Sequence, residues 1–236
     1  RPRSLALAAA VALAAGAGLA GAQSPPARTA PPPQAAGPAA RPASATASAT
    51  AAASAVGDAT TDYSQRYAAV CAACHGANGR SDQPGVPVLA GQSSLYAITQ
   101  LFLFREGRRD NPSMVAVARP MTDADLRGFS DAIGRLPPVP APHTAPPEEA
   151  RMAQGRVLAE QHKCVMCHGA DLAGGQQVPR IGGQKEDYLR RTLHGFKSGQ
   201  RPGYTRAMTE ALSQVPEADL DPLAYYIARV PPAAAR

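Results

Sequence analysis

Apolar positions recur at helical spacing in short runs separated by Gly- and Pro-bearing segments, and no stretch sustains the alternation of a half-buried strand. Tyr63, Tyr67 and Val70 mark one helical face, with Thr61 placed to cap it. Leu95, Ile98, Leu101, Phe102 and Phe104 form a broader face, capped by Ser93 or Ser94 and stopped at Gly107. A loop carrying Met114 is expected next. Thr122 and Asp125 then have the spacing of a capping box for a helix reaching Leu136, with Leu126, Phe129 and Ile133 turned inward. The pattern predicts an all-α fold.

It also occurs twice. A shift of 92 or 93 positions, rising to 94 near the end, sets Pro87 on Pro179, Gly91-Gln92 on Gly183-Gln184, Tyr96 on Tyr188, Phe104 on Phe196, Gly107 on Gly199 and Arg109 on Arg201. Ala124-Asp125-Leu126 falls on Ala218-Asp219-Leu220. Two tandem domains follow, over residues 58–136 and 148–232. Between them, residues 137–147 hold six prolines in eleven positions, which predicts a semi-rigid extended spacer.

All four cysteines lie in two motifs at equivalent places in the repeat, Cys71-Ala72-Ala73-Cys74-His75 and Cys164-Val165-Met166-Cys167-His168. In C-x-x-C-H the two thiols can add across the vinyl groups of a haem while the adjoining imidazole reaches the iron, so the spacing reads as c-type haem attachment. A four-cysteine zinc site would place its pairs about 15 to 20 residues apart, whereas 89 residues separate Cys74 from Cys164. A thioredoxin-like dithiol needs a βαβ setting that the pattern lacks. Structural disulfides would not require histidine after the second cysteine in both copies. Two covalently bound haem c groups are therefore expected, with His75 and His168 as iron ligands.

Each iron then needs a second axial ligand for electron transfer or an open position for chemistry. The shift of 94 near the end of the repeat sets Met114 on Met208 and Met121 on Val215. That register selects Met114 and Met208. His143 lies in the proline spacer, His162 is too close to Cys164 to swing across the ring, and His194 corresponds to Phe102. A Met thioether stabilises ferrous iron and leaves no coordination position free. The expected role is electron transfer, with no catalytic residues.

Composition sets the surroundings. Arg1-Pro2-Arg3, the apolar run Leu5 to Ala22 and the close Ala20-Gly21-Ala22 have the marks of a secretory signal, here residues 1–22. An uncleaved anchor is the rival reading. Residues 23–57 contain seven Pro and fourteen Ala, with Val56 the only large apolar side chain, and are expected to be disordered. The formal charge of +6 falls to +4 without Arg1 and Arg3, and four haem carboxylates would bring it near zero. Such a balance argues against a nucleic-acid partner. Lys185, Arg190, Arg191, Lys197, Arg201 and Arg206 gather in one segment of the second domain, as Arg105, Arg108, Arg109 and Arg119 do in the first. They form either a solvated face or a weak docking surface for an acidic redox partner.

With the tandem motifs, the Met placement and Pro-x-x-x-Gly-Gln after each motif in view, residues 60 to 231 resemble the cytochrome c4 family of dihaem cytochromes. The resemblance implies two mainly helical cytochrome c folds facing each other and a periplasmic shuttle serving a terminal oxidase. It also implies that the carbonyls of Pro87 and Pro179 receive the proximal imidazole N–H groups. The partners expected are redox proteins, such as a quinol-oxidising complex and an oxidase, with membrane association only through a retained leader or a partner. The alternatives are a cytochrome subunit of a sulfide- or alcohol-oxidising dehydrogenase and a dihaem enzyme such as a thiosulfate dehydrogenase.

Overall fold

The computed structural model describes residues 62–142, 145–201 and 203–232; the leader, residues 23–57, Thr61 and His143 lie outside this set. The first lobe carries α1 (Tyr63–Val70), α2 (Ala72–His75), α3 (Ser94–Arg105), α4 (Pro112–Ala118) and α5 (Asp123–Gly134). The second repeats them as α6 (Glu149–Gln161), α7 (Cys164–His168), α8 (Glu186–Lys197), α9 (Ala207–Ser213) and α10 (Glu217–Arg229). Among the described residues there is no β-strand, only an isolated bridge between Gly175 and Val178. No described helix is long and apolar enough to cross a membrane.

Local chemistry explains the boundaries. Ser93 accepts from the Tyr96 amide and caps α3, and Gly107 leaves the helix at φ +64°. Thr122 and Asp125 form the expected capping box of α5. Asp62 caps α1, accepting from the amides of Ser64 and Gln65. The loop expected around Met114 is instead helical: Asn111 accepts from the Met114 amide and Pro112 occupies the first turn, where its missing N–H is not needed. Seven residues are too few for an apolar period to show.

Each lobe closes on a crossing of its first and last helices. In the first, Tyr63 and Arg66 of α1 both bond Asp125 of α5, and the Thr122 amide bonds the same carboxylate. These bonds, led by the Thr122 amide, hold Asp125 far below the usual carboxylate range. A Cβ on Gly128 would lie 2.2 Å from the Tyr63 ring, so the helices touch there because a side chain is missing. The second lobe uses the other partner of the pair: Gly155 on α6 admits Tyr226 and Pro222 of α10.

The described residues fall in one compact unit, so the lobes are packed together rather than held apart by the spacer. Their seam is built by two glutamines. Gln92 donates to the Arg180 carbonyl (2.7 Å) and accepts from the Arg180 amide (3.1 Å). Its repeat partner Gln184 donates to the Val88 carbonyl (2.9 Å) and accepts from the Val88 amide (2.8 Å). Val88 and Arg180 are themselves partners under the shift of 92, so the exchange is reciprocal and the lobes meet about a pseudo-twofold axis. The proline spacer joins this seam: Ala141 is buried with Val88 and Ala90, and its amide donates to Gly183 at 2.9 Å. The buried Arg180 guanidinium donates to the carbonyls of Gly182 and Ala90, and burial pushes its pKa down to about 10. Proline prevents the spacer from coiling, but its apolar rings and free carbonyls make it a good cover for an interface.

Candidate haem sites

His75 ends α2 and His168 ends α7, and both are buried, at 6% and 5% exposure. Each ring places Nδ1 3.0 Å from a proline carbonyl, Pro87 for His75 and Pro179 for His168. A carbonyl can only accept, so Nδ1 carries the proton and Nε2 presents a lone pair. Burial lowers the pKa of both imidazoles and keeps them neutral, with the proline bond opposing weakly and Arg109 adding to the effect at His75. The contacts implied by the resemblance are thus present twice. They are the kind of outer partner that orients a metal-binding histidine.

The cysteines stand on the same short helices. Cys71 and Cys164 are half-buried, Cys74 and Cys167 exposed, and none forms a disulfide. Burial pushes the Cys71 thiol up to about 11 and raises Cys164 as well. A redox dithiol needs the opposite shift. Among the described residues no group of three or more His, Cys, Asp or Glu converges, so the two pairs do not form one zinc site.

Cys71 and Met114 pack against one cluster that includes Leu101, Phe104, Leu126 and Phe129. Cys164 and Met208 pack against its counterpart around Leu193, Leu220 and Leu223. In each lobe the first cysteine and the methionine share an apolar wall, and the second thiol and a neutral imidazole donor stand on the same short helix as that cysteine, a donor set that fits a haem. Met121, set aside by the repeat register, is a buried member of the first cluster, and Val215 occupies its place in the second. His162 is bound to Asp219 at 2.8 Å. His194 spends both nitrogens on Glu217 and Asp221, at 2.9 and 3.0 Å.

The family described as Cytochrome c matches residues 61–132 and 152–231. Cytochrome c4 of Pseudomonas aeruginosa is 30% identical over 170 residues, which span 69% of this chain and 85% of that protein. The chain belongs to the cytochrome c4 family. The reduced cytochrome c4 from Pseudomonas stutzeri superposes with a TM-score of 0.62 at 27% identity, covering 71% of this chain and 96% of that one. A protein named thiosulfate dehydrogenase electron acceptor, from Thiomonas intermedia, is 32% identical over 62% of this chain and 77% of its own length. As in other cytochrome c4 proteins, the two cytochrome c domains carry covalently attached haem c, and the chain is a dihaem electron-transfer protein.

Part of the basic segment seen in the sequence is spent inside the molecule, while Arg190 and Arg206 stay exposed. Lys185 is buried and donates to the Gln83 carbonyl, Arg191 donates to the Gly85 carbonyl at 2.6 Å, and Asp187 accepts from the Gly85 amide. Arg201 bonds the Tyr188 hydroxyl, Arg190 pairs with Asp221, Lys197 binds the carbonyls that end α9, and Arg206 pairs with Glu210. Three of these six cations therefore hold the first lobe or face the seam instead of a partner. The resemblance implied that the two folds face each other, but sequence reasoning did not find the residues of the seam. Its only trace was that polar residues, Gln92, Tyr96 and Arg109, were repeated as faithfully as the apolar ones.

Proposed function

We propose that this cytochrome c4 family member is a periplasmic one-electron carrier between a respiratory donor complex and a terminal oxidase or similar acceptor. The pairing of Met114 with Met208, each against the same apolar cluster as its motif's first cysteine, carries the reading. In it, Cys71 and Cys74 would hold one haem and Cys164 and Cys167 the other, with His75 and Met114 holding the first iron and His168 and Met208 the second. When bound, each haem supplies a single-electron ferric/ferrous couple. The chain does the rest. Pro87 and Pro179 fix the histidine tautomers, the thioethers would hold the irons and favour the ferrous state, and the apolar walls would exclude water. The role in this reading is that of a carrier.

The test is a redox titration followed in the visible and near-infrared, with carbon monoxide added to the reduced protein. Two low-spin His/Met haems that do not bind the gas are expected. High-spin iron, or ready gas binding, would overturn the closed-site reading. A second reading, electron acceptor of a dedicated periplasmic dehydrogenase, is favoured by the name of the Thiomonas relative. Rapid stoichiometric reduction by a thiosulfate-oxidising enzyme, with slow reduction by a quinol-oxidising complex, would select it.

A further inference from the structure

The two loops that run from a C-x-x-C-H motif to its proline are repeats, yet they are held differently. In the second lobe the loop closes on itself: Gly175 and Val178 exchange two backbone hydrogen bonds, each 2.9 Å, just before Pro179. Their partners under the shift of 92 are Gln83 and Val86, where one bond of the two is present, from the Val86 amide to the Gln83 carbonyl at 3.3 Å. What holds the first loop comes from the other lobe. Lys185 donates to the Gln83 carbonyl, Asp187 accepts from the Gly85 amide, and Arg191 donates to the Gly85 carbonyl at 2.6 Å. Gly85 stands at φ +72°, and a Cβ there would lie 2.9 Å from the Arg191 guanidinium; Gln177 occupies the equivalent place in the second lobe.

The loop held in this way is tied directly to its motif. The Gln83 side chain donates to the Ala73 carbonyl at 2.8 Å, the Ser81 hydroxyl donates to the Cys74 carbonyl at 2.7 Å, and Pro87 accepts from Nδ1 of His75. The reverse contact is slighter. Ser93, the repeat partner of Lys185, donates to the Gln176 carbonyl, and Leu95 and Thr99 stand where the second lobe has Asp187 and Arg191. Three charged side chains thus grip one loop across the seam, each through a hydrogen bond of the stronger, charge-assisted class. Resting on the assignment of His75 as an iron ligand, we infer that Lys185, Asp187 and Arg191 are positioning residues for the first haem supplied by the second lobe. They order the Gln83–Pro87 loop and, through it, the bond that orients His75, whereas the second lobe orients His168 with its own backbone.

The dependence runs in one direction. An imidazole whose N–H is held by a carbonyl is a more basic ligand and so favours ferric iron. A loosened Gln83–Pro87 loop weakens that bond and favours ferrous iron at the first site alone. The position of the second lobe is therefore felt at the first haem through its histidine, while the second haem answers to a loop closed by the Gly175–Val178 exchange. Lys185 is buried, but Asp187 and Arg191 are exposed, so the grip can be opened at its rim without emptying the core.

The experiment uses the full chain labelled with nitrogen-15 histidine. It is first checked for two haems and histidine-bound low-spin iron, since a failure at that step counts against the haem assignment and not the grip. In the reduced, diamagnetic protein the Nδ1–H signals of His75 and His168 are followed by NMR and their exchange with solvent is timed, His168 serving as the internal control. Asp187→Ala combined with Arg191→Met removes one charge of each sign, so the net field at the iron changes little. This double variant is expected to speed His75 Nδ1–H exchange about tenfold, equivalent to losing roughly one net hydrogen bond. His168 should stay within about twofold of the parent, as expected for a distant, independent site. The ferrous/ferric ratio of the first haem at fixed solution potential should rise about two- to fivefold as its histidine becomes less basic. Asp187→Asn keeps an acceptor for the Gly85 amide and should exchange as the parent does. Ser93→Ala should leave His168 unchanged. If the double variant loses haem, Arg191→Met alone reads the same exchange. Unchanged His75 exchange would overturn the inference. So would equal acceleration at both histidines, because the three side chains would then hold the lobes together without positioning either ligand.

Discussion

Replacing Gln184 with Ala would remove one half of the glutamine exchange and leave three backbone groups without partners. These are the Val88 amide (2.8 Å), the Val88 carbonyl (2.9 Å) and the Lys185 amide (2.9 Å), all bound by one side chain that is 3% exposed. A buried group left unmade costs about 1 to 3 kcal/mol. Water admitted to the vacated volume offsets part of this, so the sum lies near the lower end, at about 3 kcal/mol. For a folded region of this size each kcal/mol moves the melting temperature by roughly 2 to 4 °C, and the expected drop is about 6 to 12 °C. Gln92→Ala, which orphans only the Arg180 amide and carbonyl, should cost about a third less. The assay is thermal unfolding followed by far-ultraviolet circular dichroism and by Soret absorbance. If the lobes act as one unit, both signals fall together in the parent. The double variant should then lose less than the sum of the singles, because one broken half already loosens the seam. A drop below about 2 °C for Gln184→Ala would refute the claim that this exchange holds the lobes together.

Two further outcomes follow from the sites. Met121→Leu keeps volume in a buried core position and should cost less than about 1.5 kcal/mol with the spectrum unchanged, whereas Met114→Leu should convert one haem to a gas-binding form; a spectral change at Met121 would reverse the assignment. His194 is held by Asp221 and Glu217, which raise its pKa, so its folded value lies above the unfolded one. Its contribution to stability is therefore full below about pH 6.5 and is lost as pH rises through the raised value. Compared with His194→Phe, which copies the first lobe's Phe102, the parent should be more stable in mild acid and lose that advantage in mild alkali; a difference independent of pH would disprove the ion-pair reading.

The chain alone determined the number of lobes, their helical class and both attachment motifs, and its register selects Met114 over Met121 as the expected ligand. Each of these rests on local spacing or on comparison of one repeat with the other, and a duplication supplies that comparison inside a single sequence. Even so, α4 was read as a loop, because its seven residues are ordered by the Asn111 cap and by packing rather than by a visible apolar period. What only the tertiary structure decided is how the lobes meet. The reciprocal bonds of Gln92 and Gln184 join residues 88 or 96 positions apart, and no periodicity along the chain encodes such a pairing. For the same reason Lys185, Arg191 and Arg201, which the sequence left as part of either a solvated face or a docking surface, meet the first lobe or the seam: a charge on a helix face looks alike in sequence whether water or the other lobe lies opposite. The described part of the spacer is no free linker, since Ala141 is buried at the seam and its amide bonds the Gly183 carbonyl, which removes apolar surface from water.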